Sequence, residues 1–243
     1  MERWGGTIAP NKWESGLRRT KEEALETRES ILDAAERVFF ERGVSRTTLD
    51  QIARAAGVTR GAVYWHFHNK SDLFNTVVER VRMPMESAFY QIVESADTLE
   101  DLERICATYL VEVHRNERLQ RVYTVLLLKC EYTEDMGSLI DRERASKEHA
   151  TKSLTRFFSR LQKSERMTTA REPRALALAL YAYMLGLCID YLRSPELYRM
   201  PDDAETLTRY FFAPLKPAPA VNRPAKVALT QFSCISAATT PRS

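Results

Sequence analysis

Apolar side chains recur every three or four residues along most of this chain, which is the spacing that places them on one face of an α-helix. Residues 20–43 show the pattern first, with Ile31, Ala35 and Phe39 on one side. No segment alternates convincingly with the period of two that a β-strand produces. The pattern therefore predicts an all-α fold. Later helices are predicted over residues 98–114, 117–131, 137–164, 170–193 and 203–213.

Two short helices joined by a tight turn are predicted within residues 48–67, which read TLDQIARAAGVTRGAVYWHF. Thr48 can cap the first helix, and Gln51 three residues later completes a capping box. Gly57 can adopt the positive φ of a sharp turn, and Thr59 can cap the second helix. This order of elements is a helix-turn-helix. In DNA-binding proteins with this motif, the second helix, called the recognition helix, enters the major groove.

The side chains of this motif divide into an apolar side and a basic side. Ala53 is small enough for the place where the two helices cross, and Ile52 and Val63 can bury a small core. Residues 44–70 carry four basic side chains and one acid, an excess suited to DNA phosphates. The alternative interpretation is a pair of surface helices that binds no ligand.

The composition is that of a globular protein with one or two domains. The chain has 243 residues, of which 44% are hydrophobic and 28% charged. Because the formal net charge is only +3, affinity for DNA must come from local clustering of basic residues. The four cysteines show no paired spacing and no secretory segment precedes the first helix, which predicts a cytoplasmic protein without structural disulfides.

The chain lacks the sequence motifs of enzymes built on helical bundles. It has no pair of Glu-x-x-His motifs, no glycine-rich phosphate loop and no Gly-x-Ser-x-Gly. His66 and His68 are close, but no third metal ligand follows at a useful spacing. We therefore expect no catalytic residue, metal or cofactor, and keep a helical-bundle enzyme as an alternative class.

The helix predicted over residues 170–193 is apolar on all sides. Its uncharged run over residues 175–189 spans roughly 22 Å, short of the roughly 30 Å hydrocarbon core of a bilayer. We therefore predict a buried helix rather than a membrane span. Its own domain can cover one side and a second copy of the chain the other, unless the helix is the centre of a monomeric bundle. The predicted dimer contacts are Leu178, Leu185, Ile189, Leu192, Leu207, Tyr210 and Phe211.

Both ends of the chain lack helical periodicity. Residues 1–17 contain Gly and Pro and are predicted to be a disordered extension. Residues 216–243 are rich in Pro and Ala and are predicted to be a flexible tail. Between these ends, Ser71 can cap a long helix, which Pro84 is expected to kink or interrupt.

Three segments resemble the tetracycline-repressor family of bacterial transcriptional regulators. The first two are RRTKEEALETRESILDAAERVF at residues 18–39 and TLDQIARAAGVTRGAVYWHFHNKSDLF at residues 48–74. The third, LLLKCEYTEDM at residues 126–136, is similar to the branch that represses multidrug efflux pumps of the acriflavine-resistance type. The resemblance covers roughly residues 18–215. It implies an all-helical homodimer with about nine helices in each subunit.

The resemblance also implies how the chain is divided. Residues 18–70 would form a three-helix DNA-binding domain, and residues 71–215 a ligand-binding and dimerisation domain. Family motifs and the preceding loop place DNA contacts at Arg46, Thr47, Thr48, Thr59, Arg60, Gly61, Tyr64, His66 and Lys70. Trp65 and Phe67, in the same stretch, are predicted to pack inside the protein rather than to contact DNA.

The second domain is expected to enclose a cavity for hydrophobic, and in some cases cationic, effectors. Glu112 or Glu131 is a candidate to neutralise a cationic effector. For each single lining residue, a plain core role is the alternative. The candidate lining residues are Met85, Phe89, Ile92, Tyr109, Val113, Leu126, Leu127, Cys130, Phe158, Tyr183 and Met184.

The function implied by the resemblance is repression of a multidrug efflux pump operon. The dimer would bind a palindromic operator in double-stranded DNA, and hydrophobic drugs would release it by favouring a conformation with the wrong spacing of its recognition helices. The alternatives are a DNA-binding regulator that responds to no effector and one that activates other genes.

Overall fold

The computed structural model describes residues 12–131, 137–164, 166–167 and 171–216. For residues 12–19, 83–85 and 88 it describes the backbone alone. Residues 1–11 of the N-terminal extension and all of the C-terminal tail after Lys216 lie outside the described residues, as do the side chains of Pro84 and Met85.

The described ranges contain nine α-helices and no strand, so the predicted all-α fold is confirmed. A π-helical turn over Val125–Lys129 follows α6 directly, within the stretch that the sequence predicted as one helix. The helices are α1 Lys12–Arg42, α2 Leu49–Ala56, α3 Arg60–His66, α4 Lys70–Ser95, α5 Leu99–Arg115, α6 Glu117–Thr124, α7 Gly137–Lys163, α8 Pro173–Arg193 and α9 Asp202–Phe212.

The helix-turn-helix forms as its local sequence predicts. The Gln51 backbone N–H donates to Thr48 Oγ1 at 3.3 Å, and the Thr48 N–H donates to Gln51 Oε1 at 3.0 Å, which completes the capping box. Gly57 ends α2 with a φ of 68°. Ile52 and Val63 are fully buried, so α2 and α3 share one small core.

Three predicted helix boundaries need correction. Helix α1 begins at Lys12, so residues 12–17 of the predicted disordered extension are helical. The cap of α4 is Asn69, two positions before the predicted Ser71. The Asn69 side chain accepts the Asp72 N–H at 2.8 Å. Helix α4 also continues through position 84 without interruption.

The apolar core is divided between the two ends of α4. Helices α1–α3 and the first half of α4 enclose one cluster, centred on Phe39 and Phe74, whose rings meet edge to face at 5.2 Å. Helices α5, α7, α8 and α9 enclose a second cluster with Phe157, Phe158 and Phe212. Helix α4 therefore belongs to both halves of the molecule.

Helix α8 is, among the described residues, the one helix long and apolar enough to cross a membrane when judged by length and composition alone. In the structure, Leu176, Leu180 and Cys188 face inward and are buried, and α8 packs along α7. Its opposite side carries Ala182 and Gly186, which are exposed. The prediction that one side of this helix packs on its own domain is confirmed.

A buried carboxylate joins α1 to α4 and α6. The Glu36 side chain is 4% exposed and lies 3.4 Å from an Arg80 nitrogen, 2.8 Å from Arg118 Nε and 2.9 Å from Arg121. A buried charge is tolerated when it is paired and hydrogen-bonded on all sides. This cluster fixes the N-terminal helices against the rest of the protein.

We predict opposite effects on stability for alanine at two glycines of the helix-turn-helix. Gly57→Ala places a residue with a Cβ in the left-handed backbone conformation, which should lower the free energy of unfolding by about 1–2 kcal/mol. Gly61 lies inside α3, where a Cβ would meet only Thr59 Oγ1 at an ordinary 3.8 Å. Gly61→Ala should raise stability by about 0.5–1 kcal/mol. Urea unfolding measures both, and equal effects would contradict the turn geometry.

Candidate DNA-binding surface and effector cavity

The outward side of α3 carries large exposed side chains. Tyr64 is 47% exposed and Trp65 is 73% exposed, while Val63 on the opposite side of the helix is completely buried. Arg60 is exposed in the first turn of the same helix. Arg60 and Tyr64 therefore lie together on the surface, as the sequence predicted.

Arg60 is held by two neighbours that are themselves accessible. Its Nε lies 3.1 Å from Asp50 Oδ1, and its guanidinium donates to the Tyr64 hydroxyl at 3.3 Å. The hydrogen bond to Tyr64 and the charge of Asp50 raise the pKa of Arg60. Ion pairs between exposed side chains contribute little stability, so the guanidinium can exchange Asp50 for the edge of a guanine at little cost.

Thr48 and Thr59 are exposed and occupy the N-caps of α2 and α3. Thr59 Oγ1 accepts the Ala62 N–H at 3.2 Å, just as Thr48 accepts the N–H of Gln51. A hydroxyl that accepts one hydrogen bond still carries its own proton. Both threonines can therefore cap a helix and donate to a phosphate oxygen at the same time.

The loop before α2 departs in part from the prediction. Thr47 is 1% exposed, and its hydroxyl donates to the Gly43 carbonyl at 2.7 Å. The prediction that Thr47 contacts DNA is therefore wrong, because its side chain closes the end of α1 instead. Arg46 is exposed next to it and donates to the Arg42 carbonyl at 2.9 Å. Lys70 is half-buried and donates to the Ser45 carbonyl at 3.1 Å.

The aromatic residues at the end of α3 take different roles. Phe67 is 2% exposed and packs as predicted, but the expectation that Trp65 also packs is wrong. Val63 and Phe67 are four residues apart and share the buried face, which leaves Trp65 on the other side of the helix. His66 is half-buried, and burial together with the charge of Arg28 lowers its pKa. It is therefore neutral at pH 7 and offers one N–H rather than a full charge.

A cavity of about 130 Å³ lies in the C-terminal half, between α4, α5, α6, α7 and α8. An apolar cavity of about this size is large enough for a single benzene ring. Its wall is mainly aromatic and aliphatic. Five of the predicted lining residues are found there: Phe89, Tyr109, Leu126, Leu127 and Met184.

Other predicted lining residues lie elsewhere, because helical periodicity does not show which apolar face meets which neighbour. Ile92 is 48% exposed on the surface of α4. Val113 and Phe158 are fully buried in the core and do not line the cavity. Cys130 packs against the N-terminal core, and the Tyr183 hydroxyl donates to the Leu207 carbonyl at 2.7 Å.

The charged groups of the cavity wall were not found from the sequence. They are Arg82, Glu86 and Glu143, and Arg82 donates hydrogen bonds to both carboxylates. Arg82 and Glu86 are four residues apart on α4, a spacing that could have suggested their pairing. Glu143 comes from α7 and could not be placed without the tertiary structure.

The two carboxylates that were proposed for cation binding do not line the cavity. Glu112 accepts a hydrogen bond from Asn116 on the surface at 3.3 Å. Glu131 accepts one from Ser45 at 3.2 Å, next to the N-terminal helices. The prediction that either of them neutralises a ligand in this cavity is wrong.

Two tyrosine hydroxyls provide neutral polar contacts in the cavity. The Tyr109 hydroxyl donates to the Tyr123 hydroxyl at 3.2 Å. Burial raises the pKa of Tyr109 well above its ordinary value and that of Tyr123 to about 12. Burial also raises the pKa of Cys106 and Cys188 to about 12. All four groups are therefore protonated at neutral pH, and the thiols are poor nucleophiles.

A largely uncharged surface runs along the outer side of α8 and continues to α9. Leu178 and Ile189 are partly exposed on α8, and Tyr210 is 68% exposed on α9. The remaining predicted dimer contacts are partly buried. Leu185 lines the cavity, and Leu192 packs beside Tyr191. The Leu207 carbonyl accepts a hydrogen bond from the Tyr183 hydroxyl, and the ring of Phe211 packs against that of Tyr183.

Two family models match the chain in succession. Residues 31–77 match the model described as bacterial regulatory proteins of the tetR family. Residues 97–216 match the C-terminal region of MAATS-type transcriptional repressors. The first match covers the helix-turn-helix, and the second covers every helix around the cavity except α4.

Individual relatives agree with these matches along most of the chain. The transcriptional regulator TtgR of Pseudomonas putida is 33% identical over 191 residues, covering 78% of this chain and 91% of TtgR. The crystal structure of NalD, the secondary repressor of the MexAB-OprM multidrug efflux pump in Pseudomonas aeruginosa, has a TM-score of 0.74 and 39% identity, covering 80% of this chain and 98% of NalD.

A third relative is SmeT, the repressor of the multidrug efflux pump SmeDEF of Stenotrophomonas maltophilia. The structure of its complex with triclosan has a TM-score of 0.69 and 31% identity, covering 83% of this chain and all of that one. All three relatives are transcription regulators rather than enzymes. The chain has a helix-turn-helix and a helical C-terminal half, and it matches these family models and relatives along most of its length. It therefore belongs to the tetR family of bacterial transcriptional regulators.

Proposed function

We propose that the protein is a cytoplasmic, homodimeric repressor of a multidrug efflux pump operon, released from a palindromic operator by hydrophobic drugs. One observation carries the proposal: α4 begins at Lys70 beside the recognition helix and reaches the cavity wall at Arg82, Glu86 and Phe89. A change in the cavity therefore has a direct mechanical connection to the DNA-binding surface. In this proposal, residues 18–70 bind DNA, and residues 71–215 bind the effector and the second subunit.

The proposed DNA surface combines base recognition with backbone contacts. Arg60 is suited to reading guanine, because its five donors form a fork that matches O6 and N7. Thr48, Thr59 and Tyr64 are suited to phosphates, and Arg46 and Lys70 add positive charge beside them. Gly61 lets the backbone of α3 approach the duplex closely, and we add Trp65 because of its exposure.

Dimerisation through α8 and α9 is supported by the apolar surface that a single chain leaves there. Leu178 and Ile189 flank Ala182 and Gly186, whose small size lets a second helix approach closely. A two-fold dimer would present two recognition helices to half-sites about 34–36 Å apart on one side of DNA. One recognition helix alone contacts too few base pairs for a specific operator.

The proposed effector is a hydrophobic compound with at least one aromatic ring. The cavity holds a single ring as it stands. The triclosan complex of SmeT shows that a relative binds a small aromatic drug. A larger drug would require Met184 or Phe89 to change rotamer, and the flexible thioether makes this inexpensive for Met184. The effector acts only to the extent that it binds the DNA-incompetent conformation more tightly.

Effector release can be tested with a duplex that the protein selects from a random DNA pool. Saturating triclosan should lower the affinity for this duplex at least tenfold, as a coupling of about 1.4 kcal/mol or more requires. Fluorescence anisotropy of the labelled duplex measures the change. A duplex affinity that neither triclosan nor other aromatic drugs alter would contradict the effector role and favour a regulator without an effector.

A pair of variants on α7 assigns the response to the cavity. Ala150 lines the cavity and Ala145 is exposed on the same helix. Ala150→Met should fill the space and abolish the response to triclosan while duplex binding persists. Ala145→Met is the matched control and should respond like the wild type.

Recognition of a base by Arg60 predicts a loss that depends on DNA sequence. Arg60→Ala should weaken binding to the selected duplex by about 1–3 kcal/mol and affect random duplex much less. Arg104→Ala removes an exposed arginine of α5, far along the chain from the motif, and serves as the control for charge. Equal losses on selected and random duplexes would show that Arg60 contacts only the DNA backbone.

The dimer surface predicts a difference between two isoleucines. Ile189→Arg places a charge on the outer side of α8, where an unpaired buried charge would oppose association. Ile92→Arg alters an exposed isoleucine of α4 and is the matched control. Analytical ultracentrifugation should find dimers for the wild type and the control and monomers for Ile189→Arg. A monomeric wild type at micromolar concentration would refute the dimer.

A further inference from the structure

The cavity wall contains an ionic group that α4 and α7 form together. Arg82 is 6% exposed and donates through Nε to Glu86 on its own helix and through Nη1 to Glu143 on α7. Ser146 donates to the same Glu86 oxygen at 2.9 Å. We call these three charged residues the Arg82 triad. Its contact with Glu143 is a direct tie between α4 and α7 at the edge of the cavity.

The Arg82 triad carries one more negative charge than positive charge. Among the described residues, its members are the only Asp, Glu, Lys and Arg side chains in the cavity wall. Two further ion pairs join the same two helices, Arg142 with Glu79 and Arg156 with Glu94, and neither lines the cavity. An excess carboxylate in a site of low dielectric constant attracts a cation more strongly than it would in water.

The rest of the wall also suits a cation that carries an aromatic ring. Phe89, Tyr90, Tyr109, Tyr123 and Tyr181 all line the cavity. Aromatic faces attract alkylammonium groups, and more strongly when water is excluded. The ring of His149, which is not a lining residue, packs 4.3 Å from that of Tyr90.

We propose that Arg82 competes with effector cations for the carboxylate of Glu143, and that a cationic effector binds by displacing Arg82 from it. This inference rests on the effector cavity proposed above. Arg82 keeps Glu86, which is one turn away on the same helix, while the effector cation pairs with Glu143. Two cations then face two carboxylates, so the excess negative charge is neutralised. The exchange removes the ion pair between α4 and α7 that lines the cavity, so the charge of the ligand acts on the helix that reaches the DNA-binding motif.

Two small probes of the same shape isolate the effect of charge. Phenyltrimethylammonium is a cation, and tert-butylbenzene is its neutral isostere. Arg82→Gln removes the competitor and should raise the affinity for phenyltrimethylammonium at least tenfold, as the loss of a nearby like charge requires. Glu143→Gln removes the acid that the cation needs and should lower that affinity at least tenfold. Calorimetry with the full chain should show that tert-butylbenzene binds both variants within about threefold of the wild type.

Arg142→Gln is the matched control, because it breaks the neighbouring ion pair between α4 and α7 outside the cavity. It should bind both probes like the wild type. Circular dichroism melting identifies any variant that fails to fold, and opposite shifts in Arg82→Gln and Glu143→Gln cannot both arise from loss of structure. If the cation's affinity does not change relative to the neutral isostere in either variant, Arg82 is not a competitor, while the effector cavity stands. If neither probe binds any variant, both proposals fail.

Discussion

The buried carboxylate of Glu36 is the constraint on which the arrangement of the two halves depends. Arg80 of α4 and both Arg118 and Arg121 of α6 surround it, so three cations from the C-terminal half converge on one acid of α1. Removing such an acid would leave several guanidinium groups crowded together and partly buried. The orientation of the DNA-binding helices is therefore constrained by a polar contact with a fixed geometry, in addition to the apolar cluster that α1 shares with α6.

The sequence predicted best what depends on neighbours within one turn of a helix. Thr48 with Gln51, Gly57 and Thr59 specified the helix-turn-helix through hydrogen bonds and backbone preferences that act over three or four residues. The period of the apolar positions identified the later helices, although it missed the start of α1 and the π-helical turn after α6. In both places the spacing of apolar residues does not reveal which backbone groups are hydrogen-bonded to each other.

The errors at the candidate site arose where a side chain depends on a distant part of the chain. Thr47 directly precedes the strongest motif and Trp65 lies within it, yet the first is buried and the second exposed because of how α1, α2 and α3 pack. Glu143 reaches Arg82 across 61 positions of sequence, and no local pattern indicates this. Ile92 matches the helical period as well as Phe89 does, but the period cannot tell which flank of α4 faces α5 and α7.

The π-helical turn at Val125–Lys129 places one residue in two environments. Leu126 lines the cavity and also belongs to the buried cluster beneath α1. Lys129, at the end of the turn, donates to the Phe40 carbonyl at 2.6 Å and so contacts the last turn of α1. A π-helical turn forms hydrogen bonds between residues five apart instead of four, and such turns occur often at functional sites. The π-helical turn thus connects the cavity wall to the end of α1 through Leu126 and Lys129, in addition to the connection that α4 makes.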